Sequence, residues 1–494
     1  MKKTINLLLL SVLFIHCDAH ATRVSSMIKD EFSTLLNVTK RYFSHSYSKD
    51  DKIGIIGAGP SGVSSALFLS DKGYKNIKVF EKERELGGKC LTITKKDSMG
   101  ITKNYELGAE YIPYHYYTVH DLCKRVNQET MESPRIKVIG QNGNFIEPLS
   151  SEKLYKLIPA LYRYLKLTNK YIDIINTPHN VGLKNYPELT MSSRDIIEKY
   201  NLNPLKDLFL VKQFGYGDLD DFPALSLFRT VHRDVALRII ADKIPLANKF
   251  IKRPIASISM DGTQGLYKRI ANLIKKSLPE EEVFFLNQNI KKIYKNGDSL
   301  NIESIDGDTN LQRTFVFDKL IFAVPPKELI HYKIFENQDE ELIREIQYKK
   351  YFVGLLEVEK NKLPRSYFQN LMPKKIEPLQ FTKRWVDSTV IARGYNFDVF
   401  QENDSKKIRE DVEKEFSVFM KDRMSIGYNI IGDQNILWST YYPHVALKAY
   451  QEGIFDQLEG LQGKNNMFYT GSFWSFECME QAINHSKYLI SKNF

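Results

Sequence analysis

The stretch Lys52-Ile53-Gly54-Ile55-Ile56-Gly57-Ala58-Gly59-Pro60-Ser61-Gly62 decides the fold. Its first half is a short apolar run of the kind that forms a buried strand. Its second half fits G-x-G-x-x-G, directly after that strand and opening a helix. The three glycines serve different purposes. Gly57 allows the tight turn, Gly59 lets backbone approach a pyrophosphate, and Gly62 lets helix and strand pack closely. Pro60 and Ser61 complete the turn, and the helix N-terminus faces the anion. Outward from it, Val63 to Leu69 carries small and apolar residues at helical spacing and Ile77 to Phe80 reads as a second strand, which makes a βαβ unit. Glu81 ends that strand about 20 residues after the third glycine, where a carboxylate accepts hydrogen bonds from both ribose hydroxyls and disfavours a 2′-phosphate.

The chain continues Glu81-Lys82-Glu83-Arg84-Glu85-Leu86-Gly87-Gly88-Lys89-Cys90, and this resembles the second glycine signature of the amine-oxidase-like flavoprotein superfamily. That family usually has Arg after the paired glycines; Lys89 keeps the charge and loses the bidentate fork. Tyr105-Glu106-Leu107-Gly108-Ala109-Glu110 is similar to the family's next element, a turn passing close to the flavin ring. Asp261-Gly262-Thr263-Gln264-Gly265, the strand at Ile290 that would meet adenine, and Ala323-Val324-Pro325-Pro326 follow in the family's order. Phe468-Tyr469-Thr470-Gly471-Ser472, then Met479-Glu480-Gln481-Ala482, look like its closing flavin-binding motif, with Ser472 where an acid is common. The resemblance covers nearly everything after residue 50 and implies FAD.

It also implies an α/β architecture: a Rossmann-type FAD-binding domain, from residues 51–113, 255–330 and 456–494, with a mixed α+β substrate domain inserted twice, at 114–254 and 331–455. Leu154 to Ile175 reads as an amphipathic helix within the first insertion, and Asp306-Gly307 as a hairpin turn. Residues 1–21 read as a secretory signal peptide: Lys2 and Lys3, an apolar run from Leu7 to Ile15, then Ala19-His20-Ala21 as a small-x-small cleavage site. Residues 22–50 read as a polar linker. The expectation is a secreted or periplasmic protein without a transmembrane helix in its mature part.

Of 494 residues 43% are apolar and 12% aromatic, enough for a large core and a ring-lined pocket. The net charge of +10 is spread along the chain, as a solvated basic surface that would allow transient contact with an anionic membrane surface. No zinc spacing, homeodomain or RNA-binding signature is present, so nucleic acid is not an expected partner. Cys90, Cys123 and Cys478 remain after the signal, an odd and widely spaced set that encodes neither a disulfide framework nor a metal site.

Within the superfamily the sequence most resembles bacterial polyunsaturated fatty-acid double-bond isomerases, through Gly87-Gly88-Lys89-Cys90, Tyr105 to Ala109, Phe214-Gly215-Tyr216-Gly217, Tyr442-Pro443-His444 and Glu459-Gly460-Leu461-Gln462-Gly463. The resemblance implies hydride transfer from a carbon between two double bonds to flavin N5 and its return elsewhere, with no net oxidation. Such chemistry needs a dry aromatic tunnel instead of an acid/base pair. Phe214, Tyr216, Trp438, Tyr441, Tyr442, Trp474 and Phe476 are its candidates, and Arg135, in Pro134-Arg135-Ile136-Lys137, is the candidate anchor for a carboxylate. An amine or polyamine oxidase producing peroxide is the alternative. On that resemblance Trp438 would be one aromatic wall over the flavin, Cys478 would stand in place of the other, Lys350 would be the flavin-facing lysine, and Leu437 would replace the flavin-linking Cys, leaving FAD non-covalent. His444 is a further candidate for polarising substrate or flavin. A third reading is a non-catalytic exported FAD-binding protein.

Overall fold

The computed structural model describes residues 48–494 apart from 97–98, 141–142, 147–148, 150–153, 210–213, 242–254, 279–281, 360–362, 371–379, 386, 388 and 395–404. The expected signal peptide, Cys17 within it, and the expected linker up to residue 47 lie outside the described residues.

Strand β1 (Ile53–Ile56) is buried at every position and feeds helix α1 (Pro60–Asp71); β2 (Ile77–Phe80) returns parallel to β1 with Ile53 beside Ile77 and Ile56 beside Phe80. Continuous apolar runs of this kind are what a parallel strand covered on both faces requires. Beyond them come β3 (Ile136–Ile139), β4 (Phe145–Ile146) and the helix α2 (Leu154–Lys170). The amphipathic stretch expected to run to Ile175 is therefore broken at Tyr171, and Ile172–Asn176 is a separate short helix. Then follow β5 (Phe284–Phe285), β6 (Lys319–Phe322), β7 (Gln347–Val358), β8 (Ser366–Asn370), β9 (Gln380–Lys383), β10 (Thr389–Gly394), β11 (Tyr428–His444), β12 (Met467–Tyr469) and the closing helix α3 (Met479–Asn493).

Two sheets organise these strands. The first is parallel, in the order β5-β2-β1-β6-β12, so three distant parts of the chain build it. On either side of β1 the chain goes in opposite directions, to β2 and to β6, which leaves a crevice beyond the carboxyl ends of these strands. The second sheet is mixed, in the order β11-β7-β10-β9-β8-β3-β4, with β8 parallel to β3 and its other pairs antiparallel. The segment Tyr105 to Glu110 joins the two: Glu106 meets Arg384 at 3.1 Å and Glu110 meets Arg393 at 2.8 Å, all four side chains being buried. Among the described residues no helix is long and apolar enough to cross a membrane.

Candidate functional site

A cavity of about 1450 Å³ opens in the crevice at the end of β1 and runs between the two sheets. Single small-molecule pockets occupy roughly 300–1,000 Å³, so this one has room for a large cofactor and a substrate together.

Its floor is made of turns that only glycine can form. Gly57 adopts φ +99°, and a Cβ there would lie 2.7 Å from the Ala323 carbonyl oxygen. Behind it, a Cβ on Gly62 would sit 1.8 Å from the carbonyl oxygen of Gly57, so helix and strand pack at a distance no side chain permits. The turn at Gly87-Gly88 lies against the first: the Gly87 N–H donates to the Ala58 carbonyl at 2.9 Å, and a Cβ on Gly88 would be 3.0 Å from the Gly59 Cα. α1 starts at Pro60 with no side chain capping it, so its N-terminal end at Gly59, Pro60 and Ser61 faces the cavity uncovered.

Glu81 lines the same cavity at the end of β2. Its Oε2 accepts from the Ala58 N–H at 2.7 Å and its Oε1 from the Glu83 N–H at 3.1 Å. Burial pushes its carboxyl above the usual range, and those two amides oppose the shift. The carboxylate is thus held in one orientation with lone pairs left for an incoming diol. Residues 261–265 act as a brace behind these turns: the Thr263 hydroxyl donates to Glu106 at 2.9 Å, and Gln264 Nε2 donates to the Leu86 carbonyl at 2.9 Å.

The residues singled out in the sequence for the cofactor separate into two layers. Gly57, Gly59, Pro60, Ser61, Glu81, Lys82, Gly88, Lys89, Gly108, Ala109, Ile290, Gly471, Ser472 and Met479 line the cavity. Gly62 and Gly87 stand behind it and make the close approaches possible. Glycine turns facing one another, an uncovered helix end and an oriented strand-end carboxylate fit a dinucleotide of the FAD type.

Glu477 carries no motif that would have marked it in the sequence. Its Oε1 accepts from Lys89 Nζ at 2.9 Å and its Oε2 from the Ser472 hydroxyl at 2.7 Å. Lys89 also donates to the Thr440 carbonyl at 2.8 Å. An acid thereby stands on the cavity wall beside Ser472, supplied by the residue five places on.

Over the remaining space stand aromatic rings. Trp438 donates its indole N–H to the Leu107 carbonyl at 2.9 Å, and Tyr441 donates its hydroxyl to the Phe214 carbonyl at 2.7 Å. Tyr216 donates to the Glu477 carbonyl at 2.9 Å, and its ring lies parallel to Tyr441 at 6.0 Å. Phe214, Tyr216, Trp438, Tyr441, Trp474 and Phe476 line the cavity, whereas Tyr442 packs behind Tyr216 at 4.9 Å. Tyr442 also has φ +42°, a strained value for a residue with a side chain.

The catalytic candidates divide likewise. Trp438 and Cys478 line the cavity; burial pushes the Cys478 thiol up to about 11, so it is neutral at ordinary pH. His444 and Lys350 are not among the lining residues. His444 is buried beside the Tyr442 carbonyl, 2.8 Å from its Nδ1, which places it in support of the Tyr442 turn. Arg135 requires a correction: it is exposed just before β3, while Pro134 and Ile136 on either side reach the cavity, because alternation at the strand start turns Arg135 outward.

Comparisons with known proteins agree with this geometry. Residues 60–487 match the family model described as flavin containing amine oxidoreductase. A polyenoic fatty acid isomerase from Ptilota filicina is 23% identical over 199 residues, 36% of this chain and 40% of that protein, so the match spans less than half the relative's length. A crystal structure of a CLA-producing fatty acid isomerase from P. acnes superposes with a TM-score of 0.74 at 21% identity, covering 91% of this chain and all of that one. A putrescine oxidase bound to putrescine gives a TM-score of 0.62 at 13% identity, covering 90% of this chain and 98% of that one.

Proposed function

The chain belongs to the flavin containing amine oxidoreductase family, and we propose that within it the protein binds FAD without a covalent link and isomerises double bonds of an unsaturated fatty acid or related lipid. The observation that carries this reading is the combination of a dinucleotide cradle with a cavity continued by aromatic rings and by the apolar side chains of Val231, Val235 and Ile239. Likeness to the two fatty acid isomerases supports it.

FAD, when bound, supplies reversible hydride chemistry. The chain's own residues bind, orient and keep dry. The turns at Gly57–Gly62 and Gly87–Gly88 and the Glu81 carboxylate would hold the nucleotide, while Lys89, Glu477 and Ser472 would hold the flavin half. Trp438, fixed through Leu107, and Tyr216 and Tyr441, fixed through Glu477 and Phe214, make a wall whose rings cannot swing without breaking a hydrogen bond. Such a wall fixes an extended chain in one pose and excludes water, and orientation of this kind is worth several kcal/mol of barrier. Leu437, which the resemblance sets in the place of a linking Cys, supports non-covalent binding. The cofactor domain in this proposal comprises 51–113, 255–330 and 456–494, and residues 1–21 direct export.

Amine or polyamine oxidation is the second reading, favoured by the likeness to putrescine oxidase and by Trp438 on the wall. Incubating the flavin-loaded protein with linoleate, while recording conjugated-diene absorbance and peroxide together, separates them. Diene without peroxide supports isomerisation; peroxide appearing only with amines overturns it.

A further inference from the structure

One wall of the cavity is polar in a way that the lipid reading does not by itself explain. Tyr367 and Gln369 lie two apart on β8, Gln369 stands opposite Gln380 of β9, and Gln380 stands opposite Arg393 of β10. Directly opposed residues share a face, so a row of polar side chains crosses three strands. Glu110, next to the turn at Gly108-Ala109, meets the end of that row: its Oε2 accepts from Arg393 Nη2 at 2.8 Å.

Oε1 of Glu110, Oε1 of Gln369 and Oε1 of Gln380 are all buried without a hydrogen-bond partner, while the Tyr367 hydroxyl meets the side chain of Gln369. All four residues line the cavity. Buried polar atoms are almost always paired, so three unpaired ones gathered on one cavity wall point to partners brought in by what the cavity holds. Gln380 is oriented by its Nε2, which donates to the Tyr351 hydroxyl at 2.5 Å and leaves the carbonyl oxygen as the unmet group. All three unmet atoms are therefore acceptors, and they require donors.

The charges narrow the class. An ionised carboxylate only accepts, so it meets none of the three. Arg393 is already engaged, Nη1 donating to Thr382 Oγ1 at 3.0 Å and Nη2 to the Glu106 carbonyl at 3.1 Å as well as to Glu110, so an incoming carboxylate would compete with the like-charged Glu110 for it. An ammonium would donate, but Arg393 already balances Glu110, and the cation would enter the buried wall without a counter-charge. We infer that the wall made by Glu110, Tyr367, Gln369 and Gln380 is a head-group subsite for a neutral hydrogen-bond donor, a hydroxyl borne by the unsaturated chain. This rests on the lipid reading and narrows it from a free fatty acid to a hydroxylated lipid or long-chain alcohol.

The test titrates the FAD-loaded protein with linoleyl alcohol, linoleic acid, protonated linoleylamine and a headless octadecadiene at equal detergent, following the flavin absorbance. The expected result is half-saturation by the alcohol at a concentration about 10-fold below that of the acid and of the amine. In Gln380→Met and Gln369→Met that advantage disappears while the headless diene is unaffected. Acid or amine binding as tightly as the alcohol overturns the subsite assignment alone, and so does a preference that survives in variants retaining FAD. If none of the four chains perturbs the flavin, the lipid reading itself falls. The wild-type comparison decides the matter even where a variant fails to fold.

Discussion

Lys89 and Glu477, 388 positions apart in the chain, meet at 2.9 Å on the cavity wall. The lysine follows the paired glycines Gly87-Gly88, and the glutamate stands five residues beyond Ser472. Both side chains are largely shielded, with exposures of 25% and 10%. The pair therefore closes the nucleotide turn against the end of the chain.

Glu477→Gln is expected to weaken FAD binding by about 10- to 100-fold, because it leaves the Lys89 ammonium without its charged partner in a shielded place. Fluorescence titration of the apoprotein with FAD reads this. Glu477→Asp, which keeps the charge on a shorter stem, should recover part of the loss, whereas an unchanged affinity in Glu477→Gln contradicts the role.

Gly62→Ala places a methyl 1.8 Å from the Gly57 carbonyl oxygen and must push helix from strand. A destabilisation of about 3 kcal/mol or more and loss of bound flavin are expected. Gly73→Ala is the control, since nothing lies within 4 Å of its Cβ position and the cost is only that of φ +88°, about 1 kcal/mol. Denaturant unfolding of both variants measures the difference.

Acid should destabilise the fold through buried histidines. Burial, with Arg229 and Lys492 nearby, lowers His179 to about 4, and burial, with His179 and Lys492, lowers His485 to about 3, from an ordinary 6.5. Depressed values mean that the unfolded chain binds protons first, so this stability is present above about pH 6.5 and drains away as pH falls toward 4. Each histidine contributes roughly 1 kcal/mol per pH unit in that window. Urea midpoints at pH 7, 6 and 5 test it, and His485→Gln should flatten the slope.

The three described thiols are free, and burial pushes Cys123 and Cys478 each up to about 11 and Cys90 higher still. Native protein at pH 8 should resist iodoacetamide, with labelling rising as the pH approaches 11 and Cys478, the least buried, modified first. Mass-spectrometric mapping reads the order; full labelling of Cys478 at pH 7 would contradict it.

The nucleotide half was readable in sequence because its determinants are local. A strand, a glycine turn and a helix start are neighbours in the chain, and Glu81 follows at a fixed spacing. Even there the sequence placed Gly62 in helix–strand packing but did not show that Gly87 also works from behind the cavity. The substrate half was readable in its rings, since Phe214, Tyr216, Trp438, Tyr441, Trp474 and Phe476 line the cavity, but not in its polar wall. Its wall is made by opposition across strands, as in Gln369, Gln380 and Arg393, and by the meeting of Glu110 with β10, none of which leaves a periodic trace. Arg135 is the candidate carboxylate anchor because Pro134-Arg135-Ile136-Lys137 stands in the region resembling the isomerases' anchor, yet pleating turns it outward, and strand phase at that point cannot be read from four residues. His444 belongs with it: the residue type drew notice, but its neighbour is the Tyr442 carbonyl.

Redox-neutral turnover is the central claim, and oxygen tests it most directly. The flavin-loaded protein, kept strictly anaerobic, is mixed with a large excess of whichever linoleyl chain it binds, and diene formation is followed alongside the flavin spectrum. The account predicts many equivalents of conjugated product per protein with the flavin still yellow at the end. Product that stops at one equivalent with the flavin bleached, resuming only when oxygen is admitted, would contradict it and identify an oxidase.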